Sequence, residues 1–223
     1  MIDKIRSCDD LVKLIDTWGF VPFFRNGVRG FSVEELTPPE LWFSDTADGP
    51  WEWKGPAIRE SGCAYGKLFR NKAVFVSREW YPDLANYRRD GYDYDARFED
   101  GLTSFQDKWV YDLLEAHGPL LSKELKALGG FGKDGRKGFD PILTRLQMQG
   151  YVTTTNFEYQ LDKHGMPYGW GIARYAVPEQ LFGTDFTDRV YVHTPEESRA
   201  RILTHLTALF PSAEKKQLEL LVG

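Results

Sequence analysis

Cysteine is scarce in this 223-residue chain, which holds only Cys8 and Cys63. Neither belongs to a CxxC pair and the four histidines are scattered, so the sequence offers no ligand set for a zinc ion. A phosphate-binding loop ending in GKS or GKT is also missing. We therefore expect neither a metal site nor a cofactor.

Long apolar runs are missing too. No segment approaches the roughly 20 residues that cross a bilayer, and the start, Met1–Arg6, lacks the apolar region of a signal peptide. We expect a cytoplasmic protein with no membrane partner. No serine lies in a GxSxG elbow, so the sequence carries no sign of a serine hydrolase. Whether the protein is an enzyme stays open.

Positive charge is in short supply. The formal net charge is -5, and residues 102–183 carry nine basic and nine acidic side chains. Binding to nucleic acid by bulk electrostatics needs clustered Lys and Arg. Any such binding must therefore come from a local patch.

What the sequence does contain is a folded core, with 42% hydrophobic and 15% aromatic residues. Helical spacing and caps predict helices near 104–117, 122–128 and 141–149, and two β-runs at 151–161 and 168–177 predict a hairpin. Three helices followed by a hairpin is the order of a winged helix. We therefore expect an α+β protein with an N-terminal α+β domain (1–101), a winged-helix domain (102–183) and a C-terminal helical extension (184–223).

The third of these helices supports a first hypothesis, binding of double-stranded DNA. Its apolar residues face the core, which leaves the opposite side for a major groove, as in other winged helices. A basic loop before the helix and the turn of the hairpin could contact phosphates. The residues predicted to bind nucleic acid are Lys133, Arg136, Lys137, Thr144, Arg145, Met148 and His164.

A second hypothesis is a repair enzyme with an aromatic pocket for a flat base. The pocket would use Trp51, Trp53, Arg78, Trp80, Arg88 and Arg89, and a carboxylate such as Glu52 or Glu79 would activate water. Core packing and ion pairing are the structural alternatives for these side chains. A third hypothesis treats the N-terminal half as a docking surface for an unknown protein.

Five segments resemble the bacterial AlkZ-related proteins: residues 49–56, 75–82, 88–97, 139–152 and 168–179. The resemblance covers most of the chain. It implies a link, through the winged helix, to larger AlkZ-type DNA glycosylases that excise alkylated or crosslinked bases, and hence to DNA repair. Those enzymes position water with a glutamine-hydrophobe-glutamine motif, so the resemblance makes Gln147 and Gln149 catalytic candidates. Side chains two residues apart on a helix point roughly 200° from each other, however, which would separate the pair.

Overall fold

A computed structural model describes residues 4–44 and 46–223. It confirms the expected α+β class, with helices around two three-stranded antiparallel sheets. The described residues include no helix that is long and apolar enough to span a membrane. The strands are β1 (Phe20–Pro22), β2 (Ala64–Phe69), β3 (Lys72–Val76), β4 (Leu120–Leu121), β5 (Thr153–Leu161) and β6 (Pro167–Ala176). The helices are α1 (Cys8–Trp18), α2 (Val33–Leu36), α3 (Pro50–Ser61), α4 (Tyr81–Arg89), α5 (Tyr94–Glu99), α6 (Phe105–His117), α7 (Ser122–Leu128), α8 (Phe139–Met148), α9 (Pro178–Phe182), α10 (Thr184–Thr187), α11 (Pro195–Leu209) and α12 (Lys215–Val222), with a 3₁₀ turn at Pro39–Leu41.

The first sheet has the strand order β1-β3-β2 and is covered on both faces. Successive residues of a strand point to opposite faces. Val74 and Val76 accordingly join one apolar cluster, whereas Phe75 joins another. Helices α1 and α3 cover the Phe75 face, while α4, α11 and α12 cover the Val74 face.

Arg70 and Asn71 form the turn of a hairpin in the first sheet. Both residues have positive φ, 48° and 61°, which suits the two-residue turn between β2 and β3.

The C-terminal residues lie in the core of this first sheet. Ile202, Leu206 and Leu218 are fully buried in the same cluster as Phe20 of β1. Residues 184–223, which we expected as an extension, thus share a core with residues 20–85.

The second sheet has the order β4-β6-β5 and packs with α6, α7 and α8. Three helices followed by a hairpin is the order expected from the sequence. The third helix begins two residues earlier than expected, at Phe139, because Gly138 precedes it with a φ of 84°. Asp140 is therefore inside the helix rather than its cap.

Helices α5 and α3 begin at local signals in the sequence. Residues 94–99 form α5, which begins where the Asp93 carboxylate accepts the backbone N–H of Ala96 at 2.8 Å. The tryptophan-rich segment after Gly49 forms α3, with Pro50 in its first turn.

Candidate functional site

Helix α8 lies against β2, an edge strand of the first sheet. The Gln147 side chain, 4% exposed, accepts the backbone N–H of Lys67 through Oε1 at 3.0 Å and donates to the Leu143 carbonyl at 3.2 Å. A Cβ at Gly66 would lie 2.8 Å from that oxygen, so a larger residue there would require the Gln147 amide to shift. Gln147 thus satisfies a backbone group that an edge strand otherwise leaves open.

The same docking brings two α8 residues into contact with the first sheet. Thr144 accepts a hydrogen bond from the Lys67 ammonium at 3.1 Å, and the Met148 sulfur lies 3.3 Å from the backbone nitrogen of Asn71. Both side chains are half-buried, because β2 and the turn that follows it lie against this side of the helix. Their predicted contact with nucleic acid stays a prediction.

A cleft of about 260 Å³ separates α3 and the β2–β3 hairpin from α8 and the β5–β6 hairpin. Both sheets and two helices contribute to it. Its shape therefore depends on how the two halves of the molecule pack together, one half being the first sheet with its helices and the other the second sheet with α6, α7 and α8. Its floor is aromatic and aliphatic, while its polar groups are two ammonium groups, a carboxylate, an amide and several hydroxyls. The lining residues include Lys54, Tyr65, Gly66, Lys67, Asp140, Thr144, Gln147, Thr154, Phe157 and Tyr175.

Lys54, on α3, is the cleft amine whose pKa is shifted by its surroundings. Its Nζ lies 4.3 Å from the ring centroid of Phe157 and 4.7 Å from that of Trp51. Burial lowers the pKa of this amine to about 8, although Glu52 favours the charged form. Lys54 is therefore partly neutral near physiological pH, unlike an ordinary lysine.

The tyrosines of the cleft keep their protons. Burial raises the pKa of Tyr65, and burial together with Asp140 raises the pKa of Tyr175 to about 12. Both phenols remain neutral hydrogen-bond donors at physiological pH. Asp140 itself lies 3.4 Å from the Lys126 ammonium, which offsets its charge.

A family model described as AlkZ related matches residues 5–223. The chain belongs to the AlkZ-related family. The expected resemblance is thereby confirmed over nearly the whole chain. A search of curated proteins found no match.

A similar fold occurs in the solved structure of the Streptomyces sahachiroi DNA glycosylase AlkZ. The two chains are 14% identical with a TM-score of 0.50, and the alignment covers 96% of this chain. It covers 58% of the glycosylase, so this AlkZ-related chain spans less than two thirds of that protein's length. At this identity the likeness concerns the fold alone.

The basic loop before α8 of this AlkZ-related protein is exposed, as expected. Lys133 projects into solvent, and the Arg136 guanidinium lies 5.3 Å from the centroid of the Trp109 ring. Lys137 instead turns back on the loop and donates to the carbonyls of Gly132 and Lys133. Part of the predicted positive charge thus stabilises the loop.

The other two predicted phosphate contacts differ from each other. Arg145 forms two hydrogen bonds with Asp107 of α6, at 2.6 and 2.9 Å, which raise the pKa of its guanidinium. The charge of Arg145 is therefore neutralised by a partner within residues 102–183. His164 lies exposed in the hairpin turn, where its backbone N–H donates to Asp162 at 2.8 Å.

The predicted aromatic pocket does not assemble. Trp53 is 4% exposed and Trp51 packs on the same side of the first sheet, in the cluster of Phe75. Trp80 packs on the other side, where it stacks on His205 with a centroid distance of 4.2 Å. The sheet separates these tryptophans, and sequence proximity to charged residues could not reveal that.

The arginines of that predicted pocket have structural partners. Arg78 pairs with Asp185 at 2.9 Å, and Arg88 donates to the carbonyls of Leu68 and Val222. Arg88 thereby ties α12 to β2. Neither arginine lies in the cleft.

Arg89 is fully buried and joins three segments. It donates to Glu179 at 2.6 Å, to the Tyr191 hydroxyl at 3.0 Å and to the Gly150 carbonyl at 2.8 Å. Burial opposes its charge, but Glu179 and Tyr191 raise the pKa of its guanidinium above the ordinary value. Arg89 thus fixes α4 against the end of α8 and the start of α9, and so helps to set the shape of the cleft.

The remaining catalytic candidates are not brought together. Glu52 accepts the backbone N–H of Gly49 at 3.0 Å as a helix cap, and the Glu79 side chain is exposed on the far side of the first sheet. Gln149 is half-buried, and its Oε1 has no hydrogen-bond partner among the described residues. Residues 4–44 and 46–223 also contain no group of three His, Cys, Asp or Glu side chains that could hold a metal ion.

Proposed function

We propose that this protein binds duplex DNA, with residues 102–183 acting as a winged helix, and that the cleft beside α8 accepts a single unstacked nucleotide. The observation that carries the proposal is the cleft itself, in which two lysines and several hydrogen-bonding groups meet aromatic rings between two docked halves. The membership of the AlkZ-related family and the fold shared with a DNA glycosylase support a connection to DNA repair.

The size of the cleft favours a small ligand. Its volume of about 260 Å³ is below the roughly 300–1,000 Å³ of pockets that hold drug-sized molecules. One base or one sugar fits this volume better than a dinucleotide does. Phe157 and Tyr175, which are half-buried, supply ring faces for stacking, and Thr144 supplies a polar edge.

Positive charge around the cleft supports an approach of DNA from this side. Lys67 is exposed at the mouth, and Lys54 lies deeper. The exposed loop residues Lys133 and Arg136 and the turn residue His164 are proposed to contact flanking phosphates. Because Arg145 and Lys137 are already engaged within the module, we expect few phosphate contacts and a modest salt dependence.

Fluorescence anisotropy with a labelled duplex tests this proposal. We expect binding at about 50 mM salt that weakens toward about 200 mM. A Lys67→Glu substitution should lower affinity, and a Lys67→Gln substitution should reduce the slope of log K against log salt by about 1. A matched Lys13→Glu substitution, on the exposed face of α1, should leave affinity nearly unchanged because Lys13 is outside the cleft.

The outcome that contradicts the proposal is also clear. If the wild-type protein does not bind duplex DNA at low salt, the proposed function is wrong. Equal losses in the Lys67 and Lys13 variants would mean that binding depends on net charge rather than on the cleft.

A further inference from the structure

Lys54 differs from the other lysines around the cleft in its surroundings. Among the described residues its ammonium makes no hydrogen bond or ion pair, and aromatic ring faces are its close neighbours. Lys67 lines the same cleft but is exposed and donates to Thr144 at 3.1 Å. The cleft therefore contains one amine that is held by ring faces and one that is held by a hydrogen bond.

An amine in such a place has a specific chemistry. A lysine becomes a nucleophile when desolvation favours its neutral form, because only the neutral amine has a free electron pair. Burial lowers the pKa of Lys54 to about 8, whereas an exposed lysine has a pKa near 10.4. At neutral pH a much larger fraction of Lys54 is thus ready to react.

We propose that Lys54 is an amine nucleophile that condenses with an aldehyde in the cleft, and that this aldehyde is the ring-opened sugar of an abasic nucleotide in DNA. The substrate class rests on the proposed function. An abasic site has phosphates, which Lys67 at the mouth of the cleft attracts, and it has an aldehyde at the sugar. Loss of the base also leaves a ligand small enough for a cleft of about 260 Å³.

The reaction balances without a further reagent. The electron pair of the Lys54 Nζ attacks the carbonyl carbon and forms a carbinolamine. One amine proton moves to the carbonyl oxygen as the carbinolamine forms. The nitrogen loses its second proton when that oxygen leaves as water, and a C=N bond replaces the C=O bond. No oxidant or reductant takes part.

Borohydride trapping tests this inference, because borohydride added by the experimenter reduces the imine to a stable secondary amine. The 223-residue protein is incubated with a duplex that contains one abasic site and, separately, with glycolaldehyde as a DNA-free aldehyde. Peptide mass mapping then locates the modified lysine. With both aldehydes we expect modification at Lys54 to be roughly tenfold faster than at exposed lysines.

Variants separate reactivity from folding. Lys54→Arg retains a positive charge against the rings but is not nucleophilic, so trapping at this position should be lost. Lys54→Gln provides a second variant in case the first folds poorly, and circular dichroism checks both. A matched Lys13→Arg substitution on α1 should leave trapping unchanged.

The two aldehydes distinguish the possible failures. Binding of the abasic duplex without a trapped adduct would overturn this inference and leave the proposed DNA binding intact. Selective modification of Lys54 by glycolaldehyde in a protein that binds no DNA would support the nucleophile and overturn the proposed function. Equal trapping in the Lys54→Arg variant would show that Lys54 is not the nucleophile.

Discussion

Two cationic side chains at the junction of the two halves have opposite surroundings. Arg89 is fully buried, yet it has a carboxylate, a hydroxyl and a carbonyl as hydrogen-bond acceptors. Lys54 is less buried, and its ammonium lies against ring faces and makes no hydrogen bond to any described residue. The pKa of Arg89 is raised and that of Lys54 is lowered.

This difference separates a structural charge from a reactive one. Where acceptors surround a buried cation, its charge is stabilised and the cation connects the segments that carry the acceptors. Where they are missing, desolvation favours the neutral form. Depth of burial alone would have pointed to Arg89, the more buried cation, as the reactive group instead of Lys54.

The largest effect is expected at Arg89. An Arg89→Ala substitution removes a fully buried side chain and leaves the Gly150 carbonyl and the partly exposed Glu179 without their partner. We therefore expect a loss of about 2–5 kcal/mol in the free energy of unfolding. Urea unfolding measures it. A matched Arg78→Ala substitution removes a more exposed pair with Asp185 and should cost at most about 1 kcal/mol. A loss below about 1 kcal/mol for Arg89→Ala would contradict the structural role assigned to this arginine.

A smaller effect is expected at Gln147, which connects the halves without charge. A Gln147→Ala substitution leaves the Lys67 N–H without its acceptor, so we expect a loss of about 1–3 kcal/mol in urea unfolding. Gln149→Ala serves as the control because the Gln149 Oε1 has no hydrogen-bond partner among the described residues. The assignment fails if the two substitutions cost the same.

A third effect is expected at Lys54, and unlike the other two it depends on pH. Folding lowers the pKa of Lys54 from its unfolded value near 10.4 to about 8, so the unfolded state binds more protons between these values. The unfavourable contribution of the charged amine is therefore complete below about pH 8 and disappears as the pH rises toward about 10. Relative to a Lys54→Met variant, the wild-type protein should gain stability over that range.

Thermal or urea unfolding of both proteins across this pH range measures the difference. Contributions of other titrating groups are common to both proteins and cancel. A constant difference between the two proteins would mean that Lys54 titrates as an exposed lysine does.

Much of the secondary structure follows from local signals in the sequence. The caps at Ser7, Ser104 and Thr194 accept the backbone N–H groups that begin α1, α6 and α11. The hairpin turn at Arg70–Asn71 is equally local. What the sequence did not reveal was the partner of each apolar face, such as the packing of α11 and α12 against the first sheet. Those contacts join residues more than 100 positions apart.

The candidate site shows the same limit. Asp140, Thr144 and Gln147 share one side of α8 by helical spacing, so one wall of the cleft was visible in the sequence. Lys54, Tyr65 and Lys67 form the other wall, which lies against α8 because β2 packs closely on that helix at Gly66. No spacing rule connects a strand near residue 66 to a helix near residue 144. The burial that lowers the pKa of Lys54 is also long-range, since it includes the contact with Phe157.

The titration of Lys54 tests the central claim most directly. Reductive methylation with isotope-labelled formaldehyde gives each lysine an NMR signal, and a Lys54→Arg variant identifies the signal of this residue. We predict that this signal titrates with a pKa of about 8 and shifts when duplex DNA is added. A pKa near 10.4 for Lys54, together with no change on addition of DNA, would contradict both the perturbed amine and the cleft as the functional site.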